Sequence, residues 1–175
     1  MPYRDWFDPC SAIGLNKNMA TEPLDIVRKG LQAYADRGVF RGFDEVKTRN
    51  GKQAFKFVWL GNRRLEFNLD AENRILSFNK LLPNVPSKSA LYSDLSRFVK
   101  SRSDRSVPKH RRVEPRYAEV TCTNRRGDVS IALKVVNNRY EYGLNRLVNL
   151  AHEIFVQLND KYSDYMSENF DLPQE

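Results

Sequence analysis

The chain has 175 residues, of which 41% are hydrophobic and 29% charged, and its formal net charge is +7. This balance is typical of one soluble globular domain and excludes an intrinsically disordered chain. No apolar run approaches the ~20 residues that span a bilayer, and the first residues lack the apolar core of a signal peptide. Cys10 and Cys122 have no C-x-x-C spacing. They therefore predict neither a disulfide scaffold nor a zinc site, and we expect a cytoplasmic location.

Residues 1–20 carry apolar and aromatic side chains without any period. They predict an N-terminal arm that docks on the body of this subunit or of another one, in front of a single α+β domain over 21–175. The first helix of that domain is expected to be capped by Thr21, with Pro23 in its first turn. Gly38 supplies a left-handed residue at its end.

Alternation of apolar and polar residues predicts the next elements as a meander of strands. In the third of them, Leu65, Phe67 and Leu69 share one face, which indicates a sheet with one buried side. Asn50-Gly51 suits a two-residue hairpin turn because both residues tolerate positive φ angles. The four predicted strands cover 39–48, 52–60, 63–70 and 75–82.

A second helix is predicted after the Pro83–Pro86 break, with Ser87 as its cap and an apolar stripe that ends at Val99. Residues 101–115 predict a loop, because they contain two prolines and no apolar rhythm. A loop of this length inside a compact domain is usually functional or disordered.

The segment 97–116, called the basic segment below, holds eight basic residues against two acidic ones and so accounts for nearly all of the net charge. Such a concentration predicts a site for an anionic partner, and a solvated flexible connection is the open alternative. The eight candidate binding residues are Arg97, Lys100, Arg102, Arg105, Lys109, Arg111, Arg112 and Arg116.

The last third predicts a hairpin of strands over 117–123 and 129–137, followed by a long helix from about Tyr140. That helix carries a wide apolar stripe, which indicates a buried face. The whole order is α-β-β-β-β-α-β-β-α. It predicts an α+β fold in which helices lie mainly on one face of an antiparallel sheet.

This order, together with the stretches 144–155 (LNRLVNLAHEIF) and 162–166 (YSDYM), resembles type III secretion chaperones and the related YbjN-like proteins over residues 21 to 170. The resemblance implies a non-enzymatic, usually dimeric protein that binds a polypeptide along a hydrophobic surface, without catalytic residues. Such chaperones are typically acidic, whereas this chain is basic.

Few residues suggest an enzyme, since no zinc-protease, nucleophile-elbow or phosphate-loop motif is present. His110 is expected to belong to the basic segment, and His152 to be a partly buried structural residue beside the last helix's apolar stripe. Glu45-x-Lys47 has the spacing of metal-dependent nucleases, with a second acid to come from Asp70 or Glu66. A charged strand edge is the favoured interpretation of that pattern, so we predict no catalytic residue, metal or cofactor.

Two hypotheses follow from the sequence. The first is a cytoplasmic bacterial module that binds a protein or peptide and forms a possible homodimer. The second is sequence-nonspecific nucleic-acid binding through the basic segment. A base-stacking platform is a further interpretation of the strand aromatics, although such residues more often form a core. They are Phe55, Phe57, Trp59, Phe67 and Phe78.

Overall fold

The computed structural model describes the backbone of residues 9–48 and 52–172, and the side chains from residue 22 onward within those ranges. Its elements follow the predicted order, with one helix added at the end. They are α1 (Pro9–Asp36), β1 (Arg41–Lys47), β2 (Gln53–Val58), β3 (Arg64–Asp70), β4 (Ile75–Leu82), α2 (Ala90–Ser101), β5 (Ala118–Arg125), β6 (Asp128–Val135), α3 (Tyr140–Lys161) and α4 (Ser163–Phe170).

The six strands form one antiparallel sheet in the order β1-β2-β3-β4-β6-β5. Most of their buried side chains share one face, against which α3 packs. Gly143 of α3 makes this close approach possible, because a Cβ added there would lie 2.4 Å from Val135 Cγ1. The opposite face carries polar residues such as Lys56, Glu66 and Lys134. The predicted α+β fold is therefore confirmed.

The strand aromatics form the centre of the core. Phe55, Phe57, Phe67 and Phe78 are fully buried, and the rings of Phe67 and Phe78 meet edge to face at 5.1 Å. Burial of these rings removes a large apolar area from water. The base-stacking interpretation is therefore wrong for these four residues.

Helix α1 begins earlier than predicted. It starts at Pro9, so Thr21 and Pro23 lie inside it and the predicted cap at Thr21 is wrong. A proline inside a helix removes one backbone donor, and here the helix continues through that loss. The packing predicted for the N-terminal arm and the turn predicted at Asn50-Gly51 lie outside the described residues and side chains.

Two other boundaries differ from the prediction. Helix α2 is capped by Ser89 rather than Ser87, and the Ser89 hydroxyl accepts a bond from the Tyr92 N–H. The long last helix ends at Lys161, and Tyr162 leaves helical geometry before α4 begins. Within the described ranges, no helix is long and apolar enough to cross a bilayer.

Candidate functional site

The loop that follows α2 lies against α3 and is held there by hydrogen bonds between α3 side chains and the backbone of the loop. The Tyr142 hydroxyl accepts from the Glu114 N–H (2.9 Å) and donates to the Arg112 carbonyl (3.2 Å). Arg146 Nε donates to the same carbonyl over 3.0 Å. Val107 and Val113 of the loop are buried. These contacts hold the loop against α3 near Arg112 and Glu114.

One carboxylate of α3 neutralises two cations of the basic segment. Glu153 accepts from Arg102 over 2.7 Å and from Arg111 over 2.6 Å. Glu153 is 12% exposed and Arg102 14%, so this ion pair is largely withdrawn from water. The bond to Glu153 also raises the pKa of Arg111. These two arginines are charged anchors of the loop.

Of the other six predicted binding residues, three contact a carboxylate or an aromatic ring, and three have no carboxylate partner among the described residues. Arg112 pairs with Glu114 at 2.8 Å and is mostly buried. Arg97 is 77% exposed and only 3.5 Å from Asp94. The Arg116 guanidinium lies over the Tyr117 ring at 4.7 Å. For the remaining three, the described part of the chain offers no carboxylate within ion-pair distance. These three are Lys100, Arg105 and Lys109.

A groove follows the side of α3 that faces away from the sheet. It consists of one hollow of about 590 Å³ and an adjoining one of about 230 Å³, which share His152, Val156 and Asp160. Val156 is 49% exposed, the largest exposed fraction among the large hydrophobic residues of the described chain. We call this surface the α3 groove. Its other lining residues are Phe98, His110, Arg111, Asn149, Glu153 and Gln157 in the first hollow and Leu60, Phe155, Asn159, Met166 and Leu172 in the second.

Both histidines of the chain line the larger hollow. His110 reaches it from the loop and His152 from α3. His152 is exposed rather than partly buried, so that expectation was wrong. Its ring nevertheless stacks on Trp59, with centroids 6.4 Å apart and an angle of 17° between the planes. The imidazole thus lies at the border of the two hollows.

The Glu45-x-Lys47 pattern does not assemble a metal site. Arg28 holds the Glu45 carboxylate with two bonds of 2.7 and 2.8 Å, and this hydrogen bonding lowers the pKa of Glu45. Glu66 lies on the opposite face of the sheet, since Phe67 shares the face of Glu45. Asp70 is held by Lys52 and Asn73. No group of three potential ligands is present in the described ranges.

The anchors of the loop were not identified from the sequence. Tyr142, Arg146, Asn149 and Glu153 recur at spacings of four, three and four residues, which places them on one helical face. That polar stripe could have indicated a contact with another part of the chain. The partner segment could not be found in this way, because the loop has no period of its own.

Comparison with protein-family models, with curated proteins and with solved structures gives no match. The geometry of the chain itself must therefore support any functional proposal.

Proposed function

We propose that this protein is a non-enzymatic interaction module that binds a polypeptide segment in the α3 groove. The observation that carries the proposal is the position of Val156, a half-exposed apolar side chain where the two hollows meet. An apolar residue at the centre of a concave surface is typical of a recognition site. A partner side chain seated there would remove Val156 from water.

The rest of the groove matches the chemistry of a peptide. Phe98 and Leu172 supply apolar contacts, one in each hollow. Asn149, Gln157 and Asn159 carry amides that both donate and accept hydrogen bonds, as a peptide backbone requires. We therefore propose a segment with apolar side chains on one face as the ligand.

The element order supports the proposed resemblance to secretion chaperones, which bind polypeptides without catalysis. A homodimer and a cytoplasmic location belong to the same proposal. Fold analogy alone does not assign a function, so the groove carries the argument.

Selection of peptides from a random displayed library tests the proposal. We expect enrichment of peptides with apolar residues at regular spacing, and loss of their binding by Val156→Glu. Val46 is similarly exposed, at 40%, but lies on β1. Val46→Glu is therefore the matched control and should bind normally. No enrichment, or equal loss in both variants, would contradict the proposal.

The second candidate is nucleic-acid binding through the basic segment. A specific observation favours it on α2, where a shallow depression of about 400 Å³ is lined by Lys88, Arg97 and Lys100 together with serine hydroxyls. Cations and hydroxyls are the groups that contact phosphates. The anchoring of Arg102, Arg111 and Arg112 to carboxylates leaves fewer cations for this function than the sequence predicts.

A further inference from the structure

The two edge strands of the sheet differ in whether their outer edge can pair with another strand. β1 has a register shift between Arg41 and Asp44, and Gly42 within it has a φ of +60°. Such irregularities and exposed charges prevent other strands from pairing with an edge. β5, in contrast, pairs with β6 in unbroken register over eight residues, from Ala118 to Arg125, without glycine or proline. β5 is therefore the edge that can accept another strand.

The outward-facing backbone groups of β5 belong to its even-numbered residues. Arg125 and Asp128 flank a two-residue turn and so form a hydrogen-bonded pair. The backbone N–H and C=O groups of the odd-numbered residues of β5 therefore point toward β6. The Val136 N–H accordingly donates to the Tyr117 carbonyl, whereas the Ala118 N–H donates to Glu114 in the loop. In the described part of the molecule, no backbone partner is present for three outward residues. They are Val120, Cys122 and Asn124.

We propose that β5 pairs antiparallel with β5 of a second copy of this chain, around a two-fold axis at Cys122. This register places Cys122 opposite Cys122 and Val120 opposite Asn124, so the outward-facing groups bond to each other. The two sheets then join into one sheet of twelve strands. The proposal rests on the homodimer proposed above and names its surface, which is different from the α3 groove and does not depend on peptide binding.

Charge complementarity selects this register and this partner. Glu119 and Arg125 are exposed, and neither has an ion-pair partner among the described residues. With the axis at Cys122, Glu119 of one copy faces Arg125 of the other, and the symmetry produces this pair twice. A shift of two residues in one direction places Glu119 opposite a threonine and Arg125 opposite a tyrosine. The same shift in the other direction places them opposite a glycine and a threonine. Opposite charges and threonine pairs stabilise antiparallel strands, so a second copy matches the edge better than an arbitrary strand.

Sedimentation equilibrium over a range of protein concentrations provides the first test. We expect a dimer that either Glu119→Arg or Arg125→Glu weakens about tenfold, because each change replaces two attractive pairs by two repulsive ones. The double variant restores complementary pairs and should restore dimerisation. Glu72→Arg changes the same charge in the exposed β3–β4 turn and serves as the control. A monomeric wild type, or a dimer insensitive to these changes, overturns the proposal.

Disulfide trapping tests the register separately. In a background with Cys10→Ser and Cys122→Ala, copies carrying Thr121→Cys are mixed with copies carrying Thr123→Cys. The axis at Cys122 makes positions 121 and 123 a directly opposed pair whose Cα atoms lie about 4.5 Å apart, close enough for a disulfide. We therefore expect crosslinking between unlike copies only. Efficient crosslinking of either variant with itself indicates another register and overturns the proposal. Both positions are exposed, so circular dichroism should show an unchanged fold.

Discussion

Arg102 and Glu153 are 51 residues apart in the chain, yet Arg102 Nη1 donates to Glu153 Oε2 over 2.7 Å. Arg102 is the C-terminal cap of α2, and Glu153 lies in the middle of α3. The Arg102 guanidinium also packs over the Phe98 ring at 4.1 Å. The sequence suggests that the charge of Arg102 is available to a ligand. In the structure this charge instead joins α2 to α3.

Glu153→Gln should destabilise the protein by about 2–4 kcal/mol, because it leaves Arg102 charged, largely buried and without its carboxylate. Urea unfolding followed by circular dichroism measures this change. Glu66→Gln is the control. Glu66 is 39% exposed, and the distance from its Oε2 to Lys56 Nζ is long for an ion pair, at 3.9 Å. Loss of the Glu66 charge should therefore reduce the free energy of unfolding by less than about 1 kcal/mol. Equal effects of the two substitutions would contradict the structural role of Glu153.

The Arg28–Glu45 pair predicts a dependence of stability on pH. Hydrogen bonding to Arg28 lowers the pKa of Glu45 in the folded chain. The pair therefore adds stability above the pKa of an unfolded glutamate, about 4.3, and loses it as the pH falls through the lower folded value. The free energy of unfolding of Glu45→Gln should fall less than that of the wild type between about pH 6 and pH 3. Parallel curves for the two proteins would show that the pair contributes nothing.

Cys122 should react slowly with thiol reagents while the protein is folded. Burial raises the pKa of its thiol to about 11, and only the thiolate is nucleophilic. In a Cys10→Ser variant at about pH 8, alkylation should be on the order of a hundredfold slower in the native protein than in urea. The native rate should increase up to about pH 11. Equal native and denatured rates would mean that the thiol is not shielded.

If the basic segment binds nucleic acid, its exposed cations should contact phosphates more than the cations that carboxylates hold. Fluorescence anisotropy with labelled duplex DNA at several salt concentrations measures the number of phosphate contacts. Removal of two contacts by Arg97→Ser with Lys100→Ser should reduce the slope of log affinity against log salt by about 2. Lys29 and Lys47 are also exposed, so the variant with both changed to Ser is the control for charge. Identical slopes in the two variants, or no binding at all, would reject this function.

Strands and helices could be predicted well because their signals are local. The alternation of Leu65, Phe67 and Leu69 describes a face that the structure buries. The break at Tyr162 could not be predicted in this way, since neither glycine nor proline marks it. Its physical basis is tertiary, because α4 turns to bury Met166 and Phe170. The start of α1 was predicted too late because proline favours the first turn of a helix, whereas here the helix continues through Pro23.

The candidate site was harder to predict because it depends on contacts between distant segments. Composition identified the basic segment, but only the fold brings Glu153 to Arg102 and Arg111. The α3 groove likewise combines Leu60, Phe98 and Val156 from three separate parts of the chain. No periodicity within one element could indicate that they meet.

The order of the elements along the chain has a consequence for synthesis on the ribosome. All six strands precede α3, the helix that covers their apolar face. Phe67 and Phe78 therefore emerge before the helix that shields them, and a nascent chain exposes this face until α3 has been translated. Such exposed surfaces are prone to aggregation and are bound by chaperones. Chains that stop before α3 should consequently depend on chaperones for solubility.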